Sequence, residues 1–206
     1  MRILITAGGT REYIDPVRFI TNASSGRMGY ALVRAALRAG HKVTLITVPT
    51  AQRCPVGVKS VQVETAARMF QEVRNNFERC DCLIMAAAVA DYTPSRPAKT
   101  KIEKGSKSLT LKLKPTADIL KWAGRHKRRN QIVVGFALED SNIRRHAEKK
   151  LKEKNLDMVI ANAITAIGEE KITVQIKTPE GEWLRLPKST KGKIAGRIVR
   201  EIENIS

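Results

Sequence analysis

Residues 2 to 48 read RILITAGGTREYIDPVRFITNASSGRMGYALVRAALRAGHKVTLITV. Two short apolar runs, Arg2 to Thr6 and Lys42 to Val48, flank a stretch from Ser24 to Ala39 with helical spacing that Gly40 closes. Apolar runs without alternation suit strands buried on both faces, and Val, Ile and Thr suit a pleated, packed surface. Strand, helix and strand in that order predict a βαβ unit and a parallel sheet covered by helices. A glycine just past the helix fits the left-handed residue that often ends one.

The same grammar continues along the chain. Val58 to Val63 reads as a third strand, Thr65 to Arg79 as a helix with Ala66, Met69, Phe70, Val73 and Phe77 on one side, and Asp81 to Ala88 as a fourth strand. Tyr92 to Lys107 has no periodicity and predicts a long exposed loop. Leu109, Leu111 and Leu113 alternate like a half-exposed strand, and Asp118 can cap a helix to about His126. Ile132 to Ala137 and Asp157 to Ala161 read as buried strands around a basic helix, Asn142 to Lys154. Ile172 to Ile176 and Trp183 to Leu186 suggest a hairpin about Pro179-Glu180-Gly181, and Ile194, Ile198, Ile202 and Ile205 stripe a last helix. The expectation is one α/β domain over 1–206, a three-layer Rossmann-like fold with a mainly parallel central sheet. A C-terminal β-hairpin and a lysine-rich flap at about 92–108 complete it.

Composition narrows the function classes. With 206 residues, 42% hydrophobic and 28% charged, the chain suits a folded domain and not a disordered or fibrous one. No run approaches the ~18 apolar residues of a membrane span, and Met1 leads directly into a strand without a cleavage site, so no membrane partner and a cytoplasmic location are expected. Cys54, Cys80 and Cys82 are odd in number and lack CxxC spacing, which indicates neither a disulfide framework nor a zinc site. A formal charge of +18 biases the chain toward anionic partners. Residues 96–114 hold seven Lys or Arg against the single acid Glu103, and 121–129 hold five and no acid. Aromatics are only 4%, with no basic and aromatic interleaving, so nucleic acid is an unlikely partner.

Several segments could carry chemistry, each with a plainer alternative. Thr6-Ala7-Gly8-Gly9-Thr10 leaves the first strand on glycines that allow close approach of a ligand, or that simply turn the chain. Asn22-Ala23-Ser24-Ser25-Gly26-Arg27-Met28-Gly29 places hydroxyls and glycines at a helix start, where free amides and the helix dipole attract phosphate; Ser24 or Ser25 could instead be an N-cap alone. Ala86-Ala87-Ala88-Val89-Ala90-Asp91-Tyr92 lies at the end of the fourth strand, the usual ligand end of such folds, although Asp91 could be a loop cap or a surface ion pair. Lys99, Lys101 and Lys104 sit on the exposed loop, and Lys150 and Lys154 share a helix face, able to reach phosphates or merely solvated. His41, His126 and His146 show no partner pattern.

Taken together, these residues closely resemble phosphopantothenoylcysteine synthetase, the ligase part of the coenzyme A biosynthesis flavoprotein, along essentially the whole chain. The match runs through ITAGGTREYIDPVRFITNASSGRMG at 5–29, AAAVADY at 86–92, KIEKG at 101–105, TADIL at 116–120, VGFALE at 134–139 and KLKEKNLD at 150–157. The resemblance implies activation of the 4'-phosphopantothenate carboxylate by a nucleotide, CTP in bacterial members and ATP in eukaryotic ones. Amide formation with L-cysteine follows through an acyl nucleotide intermediate, with Mg²⁺ on the phosphates and pyrophosphate leaving. It implies that Asn22 contacts the pantothenate portion and turns over the intermediate, and that Gly8, Gly9, Ser24, Ser25, Gly26 and Gly29 hold phosphate. Ala87, Ala88 and Asp91 would meet substrate and nucleotide, Lys101 would be the flap lysine, and Phe136 would pack beside the base. Ala117, Asp118, Ile119 and Leu120 would form the nucleotide segment, with Lys150 and Lys154 facing the nucleotide. A homodimer with shared sites is implied, no metal ligand is assigned to the chain, and FMN is not expected because the flavin-dependent decarboxylase half is missing from these residues; a separate decarboxylase would then be required.

Three positions depart from the family pattern: Ala117 in place of proline, Asp140 where threonine is common, and Ala163 where aspartate is usual. Two other classes compete. An NAD(P)-dependent oxidoreductase would share the βαβ start, but the first loop lacks GxGxxG and Thr47-Val48-Pro49-Thr50 offers no acid for a ribose. A basic nucleic-acid-binding protein on the same fold would exploit the +18 charge.

Overall fold

The structure is a computed structural model that describes residues 1–106, 108–163 and 168–206. Eight strands form one sheet in the order β12-β11-β10-β9-β6-β1-β4-β5: β1 (Arg2–Ala7), β4 (Lys42–Thr47), β5 (Lys59–Gln62), β6 (Cys82–Met85), β9 (Ile132–Glu139), β10 (Met158–Ala163), β11 (Lys171–Lys177) and β12 (Leu184–Thr190). The first six are parallel, while β11 runs antiparallel to both β10 and β12. Period-two alternation decides which side chain faces which layer. Ile3, Ile5 and Ala7 pack with α1 (Arg27–Arg38) and α5 (Lys191–Asn204), whereas Leu4 joins α2 (Ala66–Phe77), α3 (Ile119–His126) and α4 (Ile143–Glu153) on the other face. The expected three layers are therefore present.

Local chemistry sets the helix starts. Thr65 accepts from the Arg68 amide at 3.2 Å, Asp118 from Lys121 at 2.9 Å and Thr190 from Lys193 at 3.4 Å. The first helix corrects the sequence expectation. It begins at Arg27, not Ser24, because Gly26 takes a left-handed φ of 72° and breaks the turn; no side chain caps it. Ser24 and Ser25 thus lie in the loop before the helix, and neither is its N-cap.

Two short hairpins also depart from the expected elements. β2 (Arg11–Tyr13) pairs antiparallel with β3 (Phe19–Thr21), and β7 (Tyr92–Pro94) pairs antiparallel with β8 (Leu113–Pro115). The expected loop therefore opens as a strand at Tyr92, and of the three alternating leucines only Leu113 lies in a strand. The fourth sheet strand ends at Met85, after which a single parallel bridge joins Gly9 to Ala88. Pro187 is accommodated in β12 because that strand is an edge, with a register shift opposite it between Ile172 and Val174.

Candidate functional site

In the sheet order, β1 connects through α1 to β4 on one side, yet its other neighbour is β6. The chain direction therefore switches beside β1, and ligand crevices in open α/β sheets form beyond the strand C-termini at such a point. A cleft of about 490 Å³ lies there, bounded by Asn22 to Gly29, Ala86 to Val89 and Asp91, with Phe136 and Lys150 opposite. A depression of about 590 Å³ at Arg2, Lys42 and Lys59 is larger, but it sits where those strands begin. Topology, not volume, favours the first.

Hydrogen bonds stitch the loops after β1 and β6 together. The Ala88 amide donates to Gly8 O at 2.8 Å, and the Thr10 amide donates to Ala88 O at 3.2 Å. The buried Thr10 hydroxyl accepts from the Ala90 amide at 2.9 Å, and Thr6 Oγ1 accepts from the Ala87 amide at 3.2 Å. Asn22 Nδ2 donates to Ala88 O at 3.1 Å. That bond fixes the amide and turns its carbonyl oxygen into an available acceptor in the cleft. From the far side, Thr116 Oγ1 donates to Ala90 O at 2.6 Å and its amide to Asp91 O at 2.9 Å. The TADIL segment is thereby tied to the strand end that carries Asp91.

The glycines have reasons of their own. A Cβ on Gly8, whose φ is +89°, would lie 2.3 Å from Val48 Cγ2, and one on Gly29 would lie 2.5 Å from Ala7 Cβ. Gly8 lets the loop turn, and Gly29 lets α1 approach β1. Gly8 and Gly9 stand behind the cleft without lining it.

Electrostatics divide the cations. Lys150 Nζ donates to Phe136 O at 2.9 Å at the cleft wall; burial, then the neighbouring Lys154 charge, pulls its pKa below the ordinary lysine value. Lys154 pairs with Asp118 at 2.9 Å outside the cleft lining. Burial pushes the Asp118 carboxyl up, but that lysine and the Lys121 amide outweigh it and hold the carboxyl below its usual value. Ile119 and Leu120 are buried in the core, so their side chains cannot meet a ligand, whereas Ala117 and Asp118 are exposed. Lys101 is exposed on the 92–108 segment and does not line the cleft.

That segment is anchored at its lysine end. The buried Asp15 carboxylate accepts from the amides of Val17 at 2.8 Å, Arg18 at 2.8 Å and Ile102 at 3.2 Å, and pairs with Arg18 Nε at 3.0 Å. Arg18 also donates to Ile102 O, and the Ala98 amide to Ile14 O at 2.8 Å. The residue after Lys101 is therefore held to the β2–β3 turn.

Of the residues singled out from sequence, the cleft collects Asn22, Ser24, Ser25, Gly26, Gly29, Ala87, Ala88, Asp91, Phe136 and Lys150. It does not collect Gly8, Gly9, Lys101, Ala117, Asp118, Ile119, Leu120 or Lys154. It adds Arg27, Met28, Leu138, Asn162, Ile172 and Lys191. Among the described residues no cluster of His, Cys, Asp or Glu could hold a metal, and Asp91 is the one carboxylate of the cleft.

Residues 1–205 match the DNA/pantothenate metabolism flavoprotein C-terminal domain. The chain belongs to this family. Its curated relatives include the coenzyme A biosynthesis bifunctional protein CoaBC of Bacillus subtilis, 42% identical over 99% of this chain and 51% of that protein. Another, from an unknown prokaryotic organism, is a cysteine/cysteine sulfinic acid decarboxylase, 41% identical over 98% of this chain and 57% of that protein. The chain spans only about half the length of these relatives. The solved C-terminal domain of a CoaBC protein superposes with a TM-score of 0.86 at 42% identity, over 99% of this chain and 94% of that one. A mutant of Cab2 in complex with phosphopantothenate-cysteine superposes with a TM-score of 0.81 at 18% identity, over 99% and 87%, and so shares the fold. The family's mostly parallel α/β fold is thus the one expected from the sequence.

Proposed function

We propose that this family member is a phosphopantothenate–cysteine ligase that uses a nucleotide triphosphate, CTP, to activate the acid. The observation that carries the reading is the Asn22 amide clamped to Ala88 O at 3.1 Å in a cleft lined by the cations Arg27, Lys150 and Lys191. A carboxylate becomes reactive only when its oxygen becomes a good leaving group. In the proposed reaction a substrate carboxylate oxygen attacks the nucleotide α-phosphorus, and pyrophosphate departs with the electron pair of the broken P–O bond. The cysteine amine then attacks the acyl carbon, nucleotide monophosphate leaves, and the amine proton passes to solvent. The protein's work is positioning two anions and offsetting their charge.

In this reading Lys150 offsets charge on the nucleotide, with Lys154 held nearby by Asp118. Asp91 and the backbone of Ala117 and Asp118 receive the base and ribose, and Phe136 packs beside them. Ser24, Ser25 and Gly26 present amides to phosphate, Ala87 and Ala88 admit the pantothenate arm, and Lys101 closes from the tethered segment. The Asn22 carbonyl oxygen orients the acyl group or the incoming amine. Mg²⁺ supplies charge neutralisation on the phosphates, and the working unit is a homodimer. CTP is preferred to ATP on the resemblance of the nucleotide segments to bacterial members.

The test is pyrophosphate release by the purified chain with 4'-phosphopantothenate, cysteine and Mg²⁺, comparing CTP with ATP. Cysteine-dependent amide formation with CTP is expected, and Asn22→Ala should lower it by about 10²-fold, the scale of losing one well-placed transition-state hydrogen bond. A folded protein that forms no amide with either nucleotide would overturn the reading.

A further inference from the structure

The topology delivers two helix starts to one end of the cleft. Strand β12 runs parallel to β1 after two antiparallel reversals, so α5 begins, like α1, beyond the strand C-termini, and the two helices pack together. Their first residues are Arg27 and Lys191, and both residues line the cleft. Neither helix has an acid in its first turn.

The treatment of other lysines makes this end unusual. Lys127, 15% exposed, pairs with Asp157 at 2.6 Å, and Lys154, 24% exposed, pairs with Asp118 at 2.9 Å. Lys150 has Phe136 O at 2.9 Å. Lys191 and Arg27 form no ion pair among the described residues. Half-burying an ammonium beside a guanidinium opposes the charged form. Burial, followed by Arg27, does pull the Lys191 pKa below its ordinary value, against a smaller opposite pull from Glu169. Two cations that line one cleft and form no ion pair among the described residues are an arrangement that an anion would relieve.

We infer that Arg27 and Lys191 together form a phosphate-binding subsite at the α1 and α5 end of the cleft, distinct from Lys150, the other lysine of its lining. Met28 and Ile172 beside it give that end an apolar flank, which strengthens a charge contact by excluding water. The inference rests on the ligase reading for its substrate. A phosphate there could be the 4'-phosphate of the acid or part of the nucleotide's triphosphate.

The experiment uses the full chain and Lys191→Gln, Lys191→Arg and Arg27→Gln. Calorimetric binding of inorganic pyrophosphate should weaken about 10- to 100-fold in Lys191→Gln, the scale of a charged hydrogen bond, and recover partly in Lys191→Arg. In turnover, a raised KM for 4'-phosphopantothenate alone assigns the subsite to the acid's phosphate, and a raised KM for CTP alone assigns it to the triphosphate. The KM for cysteine should stay constant in either case. Unchanged pyrophosphate affinity together with unchanged KM values, in variants that unfold at the wild-type temperature, would overturn the inference. If pyrophosphate binding weakens while no form of the protein makes the amide, the subsite stands and the ligase reading fails.

Discussion

Gly29→Ala offers a direct test of whether α1 sits where it does because a glycine lets it. A Cβ there would fall 2.5 Å from Ala7 Cβ, 3.1 Å from Ala7 Cα and 3.2 Å from Thr6 O. Carbon atoms pack best at about 3.5–4.0 Å, so the helix must retreat from the strand by roughly 1 Å. The obstructing atoms belong to the backbone and Cβ of a central strand and cannot rotate aside. Overpacking of this kind costs about 1–3 kcal/mol, and the upper end applies to so rigid a neighbour. Alanine's better helix propensity offsets up to about 1 kcal/mol, leaving about 2 kcal/mol of net destabilisation. For a chain of this length that lowers Tm by about 4–8 °C. Gly196, in the interior of α5, has nothing within 4 Å of its would-be Cβ, so Gly196→Ala should raise stability by about 0.5–1 kcal/mol. Urea unfolding read by far-ultraviolet circular dichroism measures both as shifts of midpoint at constant slope. Equal stability of Gly29→Ala and wild type, or a shift of both variants in the same direction, would refute the packing argument.

Two further perturbations address charge. The Lys150 pKa is depressed by burial and by Lys154, so the free site loses its ammonium at a lower pH than an ordinary lysine. The KM for the nucleotide should therefore climb as pH rises through that depressed value, and Lys150→Arg, which stays charged, should flatten the climb; an identical profile in both would count against Lys150 as a phosphate contact. For Asp15, burial pushes the pKa up, but the amides of Val17, Arg18 and Ile102 outweigh it and hold the carboxyl below its usual value. A depressed carboxyl stabilises the fold above its unfolded pKa of about 3.9 and ceases to as pH falls past that value toward the folded one. Asp15→Asn should free the segment around Ile102, seen at neutral pH as faster tryptic cleavage after Lys99, Lys101 and Lys104. Cleavage no faster than wild type would show that the carboxylate does not anchor it.

How much of this was legible beforehand depends on the distance over which each feature is encoded. β1, α1 and β4 could be read because a face buried in the core leaves its period in consecutive residues, and Asp118 declared a helix start within four positions. The β2–β3 hairpin escaped because strands of three residues, one with a charged flank of Arg11 and Glu12, carry no usable period. The start of α1 was misplaced because a serine pair resembles an N-cap, whereas the left-handed φ of Gly26 ends the loop. The cleft residues at the start of α1 and just after β6 were likewise readable, since glycines and small residues following apolar runs mark ligand-facing loops.

By itself, then, the sequence determined an alternating α/β fold, its layers, and the loops able to meet phosphate, because burial and turn chemistry are written locally. Only the tertiary structure decided which charges are free. Lys154 and Lys191 look alike in the sequence, yet one is paired with Asp118 across a helix start and the other feels Arg27 and forms no ion pair among the described residues. That difference arises from sheet order and two antiparallel reversals that join positions more than 160 residues apart, and electrostatic energy depends on distance in space, not along the chain.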